Sequence, residues 1–175
     1  MFKYLINEIK NMKGNVLAIG IDDKLTDAIK KNNFINAYEI SKSERIPFLA
    51  KKKRSLNKSK NINIKKLSKY FNKKSIDFII CDFGEISKYY KYVFRDSIKL
   101  NKSKIYFYAS KDIDMDYILK YKRYGSKIEI KEYEKSKLII IDNKDVKTNA
   151  FKNILFYVSD TFCNFVDFIS NIMVG

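Results

Sequence analysis

Two short apolar runs, VLAIGI at residues 16–21 and IDFIIC at residues 76–81, constrain this chain's fold more than any other feature. Each is shorter than an ordinary helix, is bounded by turn residues and lacks a regular polar alternation. That is the pattern of a strand buried on both faces. Such strands belong to parallel sheets whose crossovers lay helices over both sides. The neighbouring segments supply those helices. Phe2, Leu5, Ile6, Ile9 and Met12 recur at helical spacing over residues 2–12, and Gly14 and Asn15 stop the run. Leu25, Ala28 and Ile29 form one side of a second helix, capped by Asp22 or Asp23. Ile86, Tyr89, Tyr90, Val93, Phe94 and Ile98 mark a third. Asp112 or Asp114 caps a fourth that runs through Tyr121 and ends at Gly125.

Further strands are expected at residues 37–41, 62–64, 105–109, 127–133 and 137–142, with a turn of helix at 67–71. The last two strands are separated only by residues 134–136, too few for a crossover helix, so they form an antiparallel hairpin. The expected architecture is α/β: a doubly wound, mostly parallel seven-stranded sheet with helices on both faces and a C-terminal antiparallel hairpin. A chain of 175 residues suits one such domain, spanning 1–143, followed by an amphipathic helix within 144–175. Pro47 and the lysine run after it read as an exposed loop over about 45–60. Its stretch KKKRSLNKS has one apolar residue and cannot offset the entropy of ordering by burial.

The chain contains no histidine, which excludes Ser-His-Asp and Cys-His catalysis and histidine metal ligands. Its two cysteines, Cys81 and Cys163, are too few for a four-cysteine zinc site or a disulfide framework. Asp112, Asp114 and Asp116 alternate as calcium ligands do, but Tyr117 and Arg123 occupy the positions where a calcium loop needs Gly and Glu. No metal site is expected. The charge alternation in residues 1–13 does not fit a signal peptide, and a reducing, cytoplasmic setting is expected.

Formal net charge is +16, with 36 basic residues against 20 acidic. From Arg45 to Ile76 twelve basic residues stand without one acid, so three quarters of the excess lies there. AT-rich coding explains lysine in place of arginine but not the missing acids. Contact with a polyanion, either nucleic acid or an anionic membrane face, is therefore expected through Lys51, Lys52, Lys53, Arg54, Lys58 and Lys60.

Several phrases resemble the class I S-adenosylmethionine-dependent methyltransferases, over roughly residues 1–143. VLAIGIDDKL at 16–25 takes the place of that family's first strand and glycine loop. AYEIS at 37–41 looks like its second strand, ending in an acid and a small turn. INIKKLSKYFNKKSIDFIICDF at 62–83 is similar to its third strand, loop and fourth strand. The resemblance implies S-adenosylmethionine as cofactor, with Gly20, Asp22, Glu39 and Ile40 at cofactor-binding positions and Asp82 at the catalytic or substrate-orienting one. Glu39 would hold the two ribose hydroxyls. The departures are Asp22 and Lys24 where two further loop glycines usually stand, and Ala18 where an acid does. Asp82 and Phe83 keep the acid and an aromatic of the base-modifying members, without their prolines. The implied function is a methyltransferase-like protein acting on RNA. The alternatives are an inactive module of that fold that contacts a polyanion, and a nucleic-acid binder without cofactor.

Residues 151–174 are broadly apolar with a polar stripe of Asn153, Asp160, Asn164, Asp167 and Asn171. Two aspartates make a membrane span costly, so no transmembrane segment is expected. The segment is expected to cover the domain's own sheet, to join two copies of the chain, or to meet a membrane surface or a partner.

Overall fold

The two apolar runs become neighbouring central strands of one sheet. In the computed structural model, which describes residues 1–41, 49–52, 55–110, 113–119 and 127–143, β1 (Gly14–Ile19) and β5 (Ile76–Asp82) pair in parallel, Val16 opposite Phe78 and Ile19 opposite Cys81. β2 (Ile35–Ser41) and β6 (Asn101–Ser110) extend this core in parallel on either side. Parallel neighbours need crossovers, and α2 (Asp23–Lys31) and α3 (Tyr90–Leu100) provide two of them. Antiparallel hairpins complete both edges: β3 (Leu49–Lys52) with β4 (Ser55–Asn61), and β7 (Lys127–Glu132) with β8 (Ser136–Asp142). The order is β4-β3-β2-β1-β5-β6-β8-β7.

Alternate side chains enter two separate cores, which is why these strands read as continuous apolar runs. Leu17, Ile19, Ile79, Cys81, Ile105 and Phe107 pack with Leu67, Val93, Phe94 and Ile118 on one face. Val16, Ala18, Ile80, Tyr106 and Leu138 pack on the other with Leu25 and Ile29 of α2 and with Leu5 and Ile9 of α1 (Phe2–Asn11). Each fully buried Leu or Ile contributes about 1.5–3 kcal/mol relative to exposure. Helices cover both faces, as expected, and the final pair is an antiparallel hairpin.

The differences have physical causes. Ile62 and Ile64 form no strand; they are buried at the start of a 3-10 turn, Ile64–Lys69, begun by Asn63, whose Oδ1 accepts from the Lys65 amide at 3.0 Å. The lysine-rich stretch expected as a loop supplies β3 and β4, whose backbones continue the sheet from the edge of β2. Pairing with an open edge satisfies backbone groups without an apolar side chain, so the low hydrophobicity of the segment did not forbid a strand. One strand is lost and two are gained, and eight replace the expected seven. The third expected helix divides into a 3-10 turn, Ser87–Tyr89, and α3. α4 (Met115–Leu119) begins at Asp114, whose Oδ1 accepts from the Tyr117 amide. Its expected end at Tyr121 and Gly125, the alternative cap Asp112, and the whole segment 144–175 lie outside the described residues. Among the described residues, no helix is long and apolar enough to cross a membrane.

Candidate functional site

β1 ends at Ile19, and Gly20 turns the chain out of the sheet at φ +61°. Its amide donates to the Ile40 carbonyl at 2.9 Å. A Cβ here would lie 3.0 Å from the Glu85 Cβ, so glycine is required both by conformation and by space. Beside this turn is a hollow of about 270 Å³. Gly20, Ile21 and Asp22 line it from the β1–α2 loop, Ser41 from the end of β2, and Asp82, Glu85 and Ile86 from beyond β5. This is the crevice outside the carboxyl ends of the strands, where ligands bind in open α/β sheets. A larger groove of about 470 Å³, containing Lys24, runs between α1 and α2. It lies away from the strand ends, so it is the poorer candidate despite its size.

Asp22 is the N-cap of α2, its Oδ1 accepting from the Lys24 amide at 2.8 Å. Asp82 Oδ1 accepts from the Gly84 amide at 2.7 Å. Burial holds the Asp82 carboxyl above its ordinary pKa, against the pull of the Gly84 and Glu85 amides, and the Glu85 charge adds to the rise. Tyr108 of β6 joins the two loops. Its hydroxyl accepts from the Asp22 amide at 3.3 Å. Tyr108 stands opposite Asp82 in the β5–β6 pairing, where the hydroxyl favours the ionised Asp82 carboxylate. Burial, with the Asp82 charge next, pushes the Tyr108 phenol far above its ordinary range, so it stays a donor.

The structure thus brings together Gly20, Asp22 and Asp82. It does not place Glu39 or Ile40 on the walls of this hollow. Glu39 lies two positions before the end of β2, in register with Ala18 and Lys51, and accepts from Thr26 Oγ1 at 3.3 Å. The Ile40 side chain is fully buried in the core, leaving only its carbonyl at the Gly20 turn. Phe83 is also a core residue, stacked on Phe107 at 4.3 Å, and is not presented to a ligand. Burial pushes the Cys81 thiol up, as suits a small core residue. Of the basic positions, Lys51, Lys52, Lys58 and Lys60 fall on β3 and β4, while Lys53 and Arg54 lie outside the described residues.

Sequence reading missed Glu85 and Tyr108. An acid three residues after a buried strand, in DFGE, was a legible sign for the first. Nothing local marks Tyr108, because its role depends on a strand pairing that brings it beside Asp82.

No family model matches the chain, and no curated protein does. Its fold is that of the class I S-adenosylmethionine-dependent methyltransferases, as solved structures show. It is similar to an rRNA methylase from Streptococcus thermophilus at TM-score 0.53 and 12% identity, covering 81% of this chain and 93% of that one. It is likewise similar to TrmK of M. capricolum, solved with S-adenosylhomocysteine, at TM-score 0.50 and 12% identity, over 82% and 69% of the two chains.

Proposed function

We propose that the chain is an S-adenosylmethionine-dependent methyltransferase acting on RNA, in the cytoplasm. The observation that carries the cofactor reading is the hollow at Gly20, bounded by the carboxylates of Asp22, Asp82 and Glu85 and, among the described residues, by no basic one. These groups fit a ligand with a cationic sulfonium and ammonium. They disfavour a pyrophosphate, which needs the positive end of α2 free of competing anions. Bound there, S-adenosylmethionine supplies a methyl group activated by the sulfonium charge. The chain's contribution is positional: Gly20 permits close backbone approach, and Asp22 and Glu85 attract the cationic part. Asp82, on the ordered DFG turn, orients the accepting group. Proximity of this kind can supply much of a methyl transfer rate. The RNA reading is supported by the acid-free basic stretch of residues 45–76.

A second reading has its own support. Asp22 and Lys24 replace two loop glycines, and the Asp22 carboxylate is already engaged as a helix cap. On this reading the fold is an inactive scaffold whose basic surface binds a polyanion. Isothermal titration separates the two. The enzyme binds S-adenosylmethionine with one-to-one stoichiometry and loses it with Glu85→Ala. The scaffold gives no heat, and its polyanion binding survives Gly20→Trp.

A further inference from the structure

The turn Ile64–Lys69 and helix α3 together make a basic surface with exposed aromatic rings. Across residues 64–74 and 87–100 there are nine Lys and Arg side chains and a single acid, Asp96. That acid is withdrawn from the surface. It is 1% exposed, accepts from the Ser68 amide at 3.1 Å, and pairs with Arg95 at 3.5 Å and Lys99 at 4.0 Å. The buried carboxylate therefore fastens the turn to the helix and holds Arg95 and Lys99 close to it. Asp114 pairs with Lys91 at 3.6 Å, so the outward charge comes chiefly from the exposed Lys65, Lys66 and Lys69 of the turn. Tyr92, 39% exposed, has Arg95 Cζ 5.5 Å and Lys65 Nζ 5.9 Å from its ring centre. Lys65 also lies 5.2 Å from the Tyr89 ring, and Tyr70 is 42% exposed nearby in the chain. Tyr89 stands one turn along the chain from Ile86, a lining residue of the hollow, and its amide donates to the Ile86 carbonyl.

We infer that this face, centred on Tyr92, Lys65 and Arg95, binds a single-stranded nucleic acid and leads it toward the hollow. Exposed rings beside cations suit unstacked bases flanked by phosphates, since ring faces accept any base while lysines follow the backbone. A duplex offers its phosphates but keeps its base faces stacked. An acidic protein offers charge without the flat partners. The inference rests on RNA as the substrate class but not on methyl transfer, and it assigns the grip to α3 and the adjoining turn, beyond the 51–60 lysines.

The test is fluorescence anisotropy of a short labelled oligouridylate with the full chain. Tyr92→Ala should weaken binding about 5- to 100-fold, while Tyr92→Phe, which keeps the ring, should bind within about twofold of the parent. Lys65→Ala should reduce the slope of log affinity against log salt by about 0.7. Unchanged thermal midpoints in Tyr92→Phe and Lys65→Ala separate contact loss from unfolding. Equal affinity of Tyr92→Ala and parent would overturn the assignment. So would loss confined to a Lys51, Lys52 and Lys53 to Ala triple variant, which leaves RNA as partner but moves the grip to the hairpin. If duplex binds as well as single strand, or if Tyr92→Ala impairs only binding to anionic phosphatidylserine vesicles, the stacking role is wrong. Absence of oligonucleotide binding, with S-adenosylhomocysteine still bound, would remove both this surface and the RNA substrate while sparing the cofactor site.

Discussion

The two ends of the central parallel strands are built from different chemistry. At the amino end, amides and one aspartate cross-link neighbouring strands. The Asn15 amide donates to Asp77 Oδ2 at 2.9 Å, and its side chain reaches the Ser75 carbonyl and accepts from Asn36. Asn101 donates to the carbonyls of Asp77 and Lys104, each at 3.0 Å, and accepts from Asn143. Gly14 is confined beside the Asp77 carboxylate. At the carboxyl end, Asp22, Asp82 and Glu85 instead surround open space. Amides both donate and accept, so they can satisfy one another; carboxylates only accept and leave a demand for a donor or a cation. The first end stabilises the sheet, and the second leaves carboxylates around a hollow.

The sharpest way to break this contrast is Asn101→Ala. It removes two part-buried donor bonds and the buried acceptor for Asn143, and should cost about 3 kcal/mol in urea unfolding. Affinity for S-adenosylhomocysteine should not change, and a fall would show that the two ends are not separable. Gly20→Ala should cost about 1–2 kcal/mol through its left-handed backbone and should also abolish cofactor binding by displacing Glu85. If it costs stability alone, the hollow is not the cofactor site. Tyr108→Phe should cost about 1 kcal/mol by removing the hydroxyl shared by Asp22 and Asp82. It should raise the Asp82 pKa further, readable by carboxyl NMR titration.

The smallest effect belongs to Asp82→Asn. The folded state raises this carboxyl's pKa, mainly by burial, so it takes up a proton more readily than the unfolded chain does. The stability linked to that proton is fully present below the unfolded value, about 3.9, and is lost as pH rises through the folded value. Asparagine carries no such loss. The variant's thermal midpoint should therefore gain on the parent's as pH rises above about 4, and parallel curves would contradict the burial argument.

Much of this was legible along the chain. The apolar runs located β1 and β5, helical spacing located α1 and α3, and the short 134–136 link made the β7–β8 hairpin necessary. Gly20, Asp22 and Asp82 were singled out by the family resemblance, and the structure places these three around one hollow. The 62–64 segment misled because an Ile-Asn-Ile alternation buries two residues as well in a capped turn as in a strand. Glu39 and Ile40 were placed by the family resemblance, whereas the actual wall of the hollow includes Glu85 from a distant loop.

By itself, the sequence determined where apolar side chains had to leave water, and hence which segments became the inner strands and their covering helices. Periodicity and turn chemistry act over a few residues and can be read without neighbours. Only the tertiary structure decided that β3 and β4 would extend the sheet, that Tyr108 would connect Asp22 with Asp82, and that Asp96 would turn inward beneath Arg95. Those outcomes depend on hydrogen-bond partners far apart in sequence, whose positions exist only once the strands have paired.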